Sequence, residues 1–195
     1  MCTTAQVLRS MRERNSGCII NIGSRAGTVN APFATPYFTS KTGLLRVTSC
    51  LQLEQEMDGI TGVSFYCLHP GGVRTHSHTD PSTPHPLLLT LMEDAFADDV
   101  REKYPEMVAQ YQEFQKRYKD SGYLCGQTCA FIAAGKALPL RGKYFDVEQD
   151  ISKVLEYAPE FAKKGLYDLK VEFAGGLLND GGTTADTMSQ KQQNK

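Results

Sequence analysis

The pattern of apolar and polar residues predicts a helix followed by a strand at the start of the chain. The helix ends at Gly17, and Val7, Leu8 and Met11 form its apolar face. The run 18–22 is largely apolar without alternation, as in a parallel strand that is covered on both faces. This succession is typical of an α/β protein.

The next two predicted elements complete a βαβ unit. Thr35 is the expected cap and Pro36 the expected first residue of a second helix, which closes at Gly59. The apolar run 63–68 predicts a second parallel strand. Strand, crossover helix and parallel strand together predict a doubly wound α/β sheet.

Further elements follow a proline-rich excursion at 76–99. Apolar periodicity predicts, in order, a helix behind Pro105, a helix at 124–134, a strand at 143–147, a helix at 151–162 and a half-buried strand at 167–173. From residue 179 onward the chain has nothing to bury. We therefore expect one domain over 1–178 and a disordered tail over 179–195.

Composition and charge exclude several classes of protein. A formal net charge of -1 argues against a nucleic-acid surface. No apolar run reaches the roughly 18–20 residues of a membrane-spanning helix, and the first residues contain no apolar signal-peptide core. The six cysteines match no common zinc spacing, so we expect reduced thiols and a cytoplasmic protein.

Three side chains with complementary chemistry follow the first predicted strand. Ser24 stands at the carboxyl end of that strand, where open α/β sheets bind ligands. Tyr37 and Lys41 are four residues apart on the next helix and share one face. A lysine ammonium one turn away favours a phenolate, so Tyr37 can exchange a proton with a carbonyl or alcohol oxygen. Ser24 can donate a hydrogen bond to the same oxygen.

These motifs together resemble the short-chain dehydrogenase/reductase family. The segments that carry the resemblance are Ile20 to Ser24, Gly27, Tyr37 to Lys41 and Leu68 to Thr75. In that family the catalytic Ser precedes the Tyr by thirteen residues, as Ser24 precedes Tyr37. A Pro-Gly turn after the next strand, with a Thr four residues past the Gly, is matched by Pro70, Gly71 and Thr75. Segments 141–147 and 165–171 resemble members found largely in fungi.

The resemblance implies an NAD(P)-dependent oxidoreductase that interconverts an alcohol and a carbonyl. It implies catalytic roles for Ser24, Tyr37 and Lys41, a small-molecule substrate and no metal. The implied cofactor-binding residues are Tyr37, Lys41, Pro70, Gly71, Val73 and Thr75. The helix behind Pro105 often forms a dimer interface in the family, so a homo-oligomer is an implied assembly.

The histidines predict no metal site. His76 and His78 lack further ligands at a recognisable spacing, and we interpret them as part of a solvated or substrate-facing loop. We interpret His69 as a packed residue at a strand end rather than as a base.

The chain also departs from the family pattern. The turn Gly-x-x-x-Gly-x-Gly, which holds the dinucleotide pyrophosphate, is absent from the sequence. We expect the C-terminal part of a doubly wound parallel-sheet Rossmann fold that lacks the first βαβ units, with the strand at 19–22 at an exposed edge. The determinant of NAD or NADP preference belongs to the missing part. The alternative hypothesis is a truncated, catalytically inactive remnant or a partner-binding half-domain.

Overall fold

The computed structural model describes residues 2–73, 96–116 and 118–171. Within these ranges the helices and strands are α1 (Cys2–Glu13), β1 (Gly17–Ile22), α2 (Thr35–Met57), β2 (Val63–His69), α3 (Asp98–Lys103), α4 (Pro105–Gln115), α5 (Gly122–Ala133), β3 (Tyr144–Asp146), α6 (Ile151–Glu156) and α7 (Ala158–Lys164). Two short 3₁₀ turns lie at Arg25–Gly27 and Leu138–Leu140. The predicted tail at 179–195, together with Thr75, His76, His78 and Phe173, lies outside the described residues.

The strands form a parallel sheet in the order β1-β2-β3. Gly17 pairs with Val63 at one end of β1, and Cys67 pairs with Tyr144 where β3 joins. The predicted parallel α/β sheet is therefore confirmed. β2 is central and buried, whereas β1 has one neighbour among the described residues and is only half-buried. This order agrees with the expectation that β1 lies at an edge of the sheet.

Helices cover both faces of the sheet. Since successive residues of a strand point to opposite sides, β2 contributes side chains to both layers. Tyr66 and Leu68 of β2 belong to a buried cluster with residues of α5, α6 and α7. The alternate residues face α2, where Gln52 Oε1 accepts a hydrogen bond from the backbone N–H of Phe65 at 3.0 Å. This layering buries β2 and brings its carboxyl end to the edge where the candidate site lies.

Two sequence predictions are wrong. The helix predicted over 151–162 is two helices that break at Tyr157, because the ring of Pro159 lacks an N–H and obstructs the preceding turn. The strand predicted at 167–173 is not formed in its described part, 167–171. Tyr167 has a left-handed φ of 57°, and its carbonyl accepts a single bond from the Tyr144 N–H at 2.9 Å instead of continuing a ladder.

Two helix boundaries also differ from the prediction. The first helix ends at Glu13, before Gly17, which is the first residue of β1. The second begins at Thr35 with Ala34 as its cap residue, and no side chain caps its end. Among the described residues, no helix combines the length and apolar character that crossing a membrane requires.

Candidate active site

The three parallel strands end at one edge of the sheet, and the predicted site residues follow them. The Gly23 N–H donates to the Leu68 carbonyl at 2.8 Å, and the Val147 N–H donates to the His69 carbonyl at 3.2 Å. These bonds hold the segments that leave β1 and β3 against the end of β2. The carboxyl edge of an open α/β sheet is where such folds bind ligands.

Ser24 caps the 3₁₀ turn that follows β1. Its Oγ accepts a hydrogen bond from the Ala26 N–H at 3.1 Å, and its backbone is extended. A hydroxyl that accepts in this way keeps its own hydrogen available to donate. The half-buried Ser24 is therefore a hydrogen-bond donor whose rotamer is fixed by its own turn.

Tyr37 and Lys41 lie one turn apart at the start of α2, as their spacing predicts. The Lys41 ammonium lies 5.7 Å from the centre of the Tyr37 ring and donates to the Ile22 carbonyl at 2.9 Å. The last carbonyl of β1 therefore holds the ammonium beside the phenol. Tyr37 is 46% exposed.

Two glycines allow the turn after β1 to lie close to its neighbours, Gly27 to α2 and Gly23 to β2. A Cβ at Gly27 would come 3.0 Å from the backbone C and O of Lys41, and one at Gly23 would come 2.6 Å from Cys67 Sγ. Thr42 Oγ1 donates to the Gly27 carbonyl at 3.2 Å. This close approach sets the position of Ser24 relative to the helix that carries Tyr37 and Lys41.

The turn after β2 is held by a residue that sequence reasoning missed. Asp120 Oδ2 accepts a hydrogen bond from the Gly72 N–H at 2.6 Å, and Asp120 forms an isolated parallel bridge with Val73. Gly71 adopts φ 84°, which favours glycine, and a Cβ there would come 2.8 Å from Asp120 Oδ2. No local signal marks Asp120, because its hydrogen-bond partner Gly72 lies 48 residues earlier in the chain.

A charged cluster joins the ends of β1, β2 and β3. Arg25 Nε donates to Asp146 Oδ2 at 2.5 Å, and Arg25 also pairs with Glu148. The hydrogen bond with Asp146 holds the pKa of Arg25 above its ordinary value. Ligand atoms of His69, Asp146 and Glu148 lie within 4.8 Å of one another. Arg25 pairs with both carboxylates and so compensates one of their two negative charges.

His69 lies at the end of β2 and is half-buried, which matches its interpretation as a packed residue. Burial lowers the pKa of His69, and the nearby Asp146 carboxylate partly opposes this effect. Its Nδ1 is buried, and no partner for it occurs in the part of the chain that the structure describes. The lowered pKa favours the neutral imidazole.

A cavity of about 280 Å³ lies at the opposite, amino edge of the sheet. Its lining includes Ser16, Gly17 and Gly62, which stand at the starts of β1 and β2. None of the three predicted catalytic residues borders it. Ligand-binding edges in this fold class are at the carboxyl ends of the strands, so the cavity is separate from the candidate site.

The five cysteines with described side chains are all free. Cys125 and Cys129 pack against the core cluster and are only half-buried.

Known proteins are similar to this chain in sequence and in fold. A family model described as short chain dehydrogenase matches residues 1–84. A short chain dehydrogenase of the fungus Pseudocercospora fijiensis is 29% identical over 161 residues, covering 80% of this chain and 45% of that protein. Human estradiol 17-beta-dehydrogenase 11 is 37% identical over 81 residues, covering 42% of this chain and 27% of that protein.

A solved structure is also similar. The crystal structure of an actinorhodin polyketide ketoreductase variant with NADPH superposes with a TM-score of 0.51 at 26% identity, covering 74% of this chain and 51% of that one. The chain thus spans about half, or less, of the length of these relatives.

The fold and the edge at which these side chains meet define a parallel α/β protein with part of a Rossmann-like sheet. These comparisons confirm the resemblance to the short-chain dehydrogenase/reductase family that the motifs predicted, including its likeness to fungal proteins.

Proposed function

We propose that the chain carries the proton-transfer part of an NAD(P)-dependent oxidoreductase site that interconverts an alcohol and a carbonyl. The observation that supports this most is the Tyr37–Lys41 pair beside the Ser24 turn at the carboxyl edge of the sheet. A hydrogen-bond donor, a phenol and an ammonium are the groups that proton transfer to a carbonyl oxygen requires.

Each of the three residues has a separate role in this proposal. Ser24 Oγ is engaged as an acceptor by the Ala26 N–H, so its hydroxyl donates to the substrate oxygen and stabilises the charge that develops there. The hydroxyl of the exposed Tyr37 gives a proton to that oxygen in reduction or takes one in oxidation. Lys41, held by the Ile22 carbonyl, keeps a positive charge beside the phenol.

The residues present fit the nicotinamide end of a dinucleotide. Lys41 uses one of its three N–H donors on the Ile22 carbonyl, which leaves two for ribose hydroxyls. The Pro70–Val73 turn, braced by Asp120, ends at the same edge of the sheet and would line the nicotinamide. The cofactor supplies the hydride chemistry when bound. The Gly-x-x-x-Gly-x-Gly turn for the pyrophosphate does not occur in the sequence.

The relatives support a carbonyl or alcohol substrate, since their names describe a ketoreductase and an estradiol dehydrogenase. The alternative of an inactive remnant is not favoured. The family match over residues 1–84 contains Ser24, Tyr37 and Lys41 together.

The test measures the turnover of 1-tetralone and 2-butanone by the full chain with NADPH or NADH. Turnover is monitored as the loss of the absorbance of the reduced nicotinamide. Replacing Tyr37→Phe removes the proton donor, and we expect kcat to fall by about 100-fold or more. Replacing Ser24→Ala removes one donor to the developing charge, and we expect a loss of about 100-fold.

The matched control is Tyr157→Phe, which removes a hydroxyl from an exposed tyrosine between α6 and α7. We expect this variant to keep the parent rate. Full activity in the Tyr37→Phe variant would exclude Tyr37 as the acid–base group. No turnover of any ketone by the parent chain would show that the proposed function is wrong for this chain.

A further inference from the structure

One histidine and two carboxylates meet where β2 and β3 end. His69 pairs with Asp146 in the parallel register, so the two side chains lie on the same face of the sheet. One ligand atom of each of His69, Asp146 and Glu148 lies within 4.8 Å of the other two. The Glu148 N–H donates to Asp146 Oδ1 at 3.0 Å, which holds the chain that carries Glu148 against Asp146. The fold itself therefore places these three donors side by side.

Two buried polar atoms on this face of the sheet have no hydrogen-bond partner among the described residues. They are Nδ1 of His69 and the hydroxyl of Tyr144, which lies two residues before Asp146 on β3. Residues two apart on a strand share a face, so Tyr144 and Asp146 point to the same side. Buried polar groups are nearly always paired, and a bound ion or water accounts for those that the chain leaves unpaired. The unpaired nitrogen of His69 therefore indicates a further ligand beside the carboxylates.

The two carboxylates carry more negative charge than their arginine partner compensates. Arg25 Nε donates to Asp146 at 2.5 Å, and the same guanidinium pairs with Glu148, so one positive charge faces two negative ones. The Asp146 side chain is only 11% exposed, and a buried charge is costly unless it is paired. Arg25 is half-exposed, so its guanidinium can move into solvent and leave both carboxylates to a second cation.

The chemistry of the donors determines which cation fits. An imidazole nitrogen is a preferred ligand of Zn²⁺ and related transition metals, whereas Mg²⁺ and Ca²⁺ prefer sites made of oxygen alone. Bonds from Zn²⁺ to nitrogen and oxygen are about 2.0–2.2 Å long, so the three ligand atoms have to move closer together when the ion binds. Glu148 is exposed and can make most of this movement by rotation of its side chain.

We propose that His69, Asp146 and Glu148 form a binding site for a divalent transition-metal cation such as Zn²⁺, and that the ion displaces Arg25 from the two carboxylates. The ion joins the ends of β2 and β3 in the place of the guanidinium. Three protein ligands leave one position of a tetrahedral ion to water. The site is independent of the proposed oxidoreductase function, because it uses none of the three residues proposed to transfer the proton.

The test is isothermal titration calorimetry of the full chain with ZnCl₂, after a chelator has been added and removed. We expect one equivalent of Zn²⁺ to depend on His69, and MgCl₂ to bind at least about 100-fold more weakly. His69→Gln removes the nitrogen ligand and is expected to weaken this equivalent about 100-fold. Melting temperatures of the metal-free proteins show that each variant is folded.

A second variant keeps the test independent of the core. Glu148→Gln changes an exposed residue, so the fold is retained, and we expect the Zn²⁺ affinity to fall about tenfold. The matched control is Glu13→Gln, which removes an exposed carboxylate that pairs with an arginine on α1. We expect the control to keep the parent affinity.

Arg25→Gln tests the displacement of the guanidinium. The substitution removes a positive charge from the neighbourhood of the ion, so we expect the Zn²⁺ affinity to rise about tenfold. Arg9→Gln removes an exposed arginine from an ion pair on α1 and is expected to leave the affinity unchanged. A rise in Arg25→Gln together with a fall in His69→Gln would support the proposed site.

Three results would overturn the inference. Full Zn²⁺ affinity in both His69→Gln and Glu148→Gln would mean that other groups, such as the free thiols, hold the ion. Unchanged affinity in Arg25→Gln would mean that the guanidinium and the ion do not share the carboxylates. Failure of both the parent and Arg25→Gln to bind Zn²⁺ would exclude the site.

Discussion

His69 illustrates how burial controls a single residue at the site edge. It ends β2 beside Asp146, yet burial outweighs the nearby carboxylate and lowers the pKa of His69. The folded protein therefore binds this proton less readily than the unfolded chain does. The unfolded chain binds this proton as the pH falls below about 6.5. The free energy of unfolding therefore decreases from about pH 6.5 down to the lower pKa of His69 in the folded state.

We predict that His69→Gln weakens the pH dependence of stability. The fall in free energy of unfolding between about pH 7.5 and about pH 5.5 should be smaller in the variant, because glutamine does not titrate. Urea denaturation at the two pH values measures the free energy of unfolding of the parent and the variant. The chain has four histidines, and the other three stay in both proteins, so the difference isolates His69. An identical pH dependence would contradict the burial argument.

At the level of elements, the site depends on how closely the turn after β1 approaches α2. Gly27 lies against the backbone of Lys41, which cannot move without moving the helix. Gly43, two residues further along α2, has open space around it. The same substitution at these two glycines therefore has opposite consequences.

We predict that Gly27→Ala lowers the free energy of unfolding by about 1–3 kcal/mol, because the added methyl group would lie 3.0 Å from Lys41 backbone atoms. Gly43→Ala should raise it by about 0.5–1 kcal/mol, because alanine costs less backbone entropy in a helix. Urea denaturation of both variants measures the effects. Equal stability of Gly27→Ala and the parent would mean that the turn can move away from α2 at no cost.

At the scale of the whole molecule, Arg25 connects segments that are 121 residues apart. It pairs with Asp146 across the carboxyl end of β2 and joins the turn that bears Ser24 to the end of β3. The Asp146 side chain is only 11% exposed, whereas Arg25 is half-exposed. Solvent screens the Arg25 end of the pair, which limits its contribution to stability.

We predict a coupling of about 1 kcal/mol between Arg25→Gln and Asp146→Asn in a double-mutant cycle of unfolding free energies. The control cycle uses Arg9 and Glu13, which form an exposed pair one turn apart on α1. Its coupling should be about 0.3 kcal/mol. Equal couplings in the two cycles would show that the Arg25 pair does not stabilise the contact between the turn after β1 and the end of β3.

The sequence by itself determined the local elements and the face that Tyr37 and Lys41 share. An apolar run is sufficient to predict β2, and Pro36 and Gly59 delimit α2, because steric and hydrogen-bonding preferences act within a few residues. Helix geometry fixes which side chains lie one turn apart. Pro159 is a local signal for the break between α6 and α7. The prediction followed the apolar periodicity, which continues across this break.

Only the tertiary structure decided which distant residues support the site. Asp120 braces the turn after β2, Arg25 pairs with Asp146, and Tyr104 contacts the ring of Phe33. No periodicity encodes these contacts, since they arise where separate layers pack and where buried charges and polar groups need partners. The failed strand prediction at 167–171 has the same cause. Its alternating residues suited a strand, but Tyr167 packs against Phe161 at 5.1 Å and turns the chain away from β3.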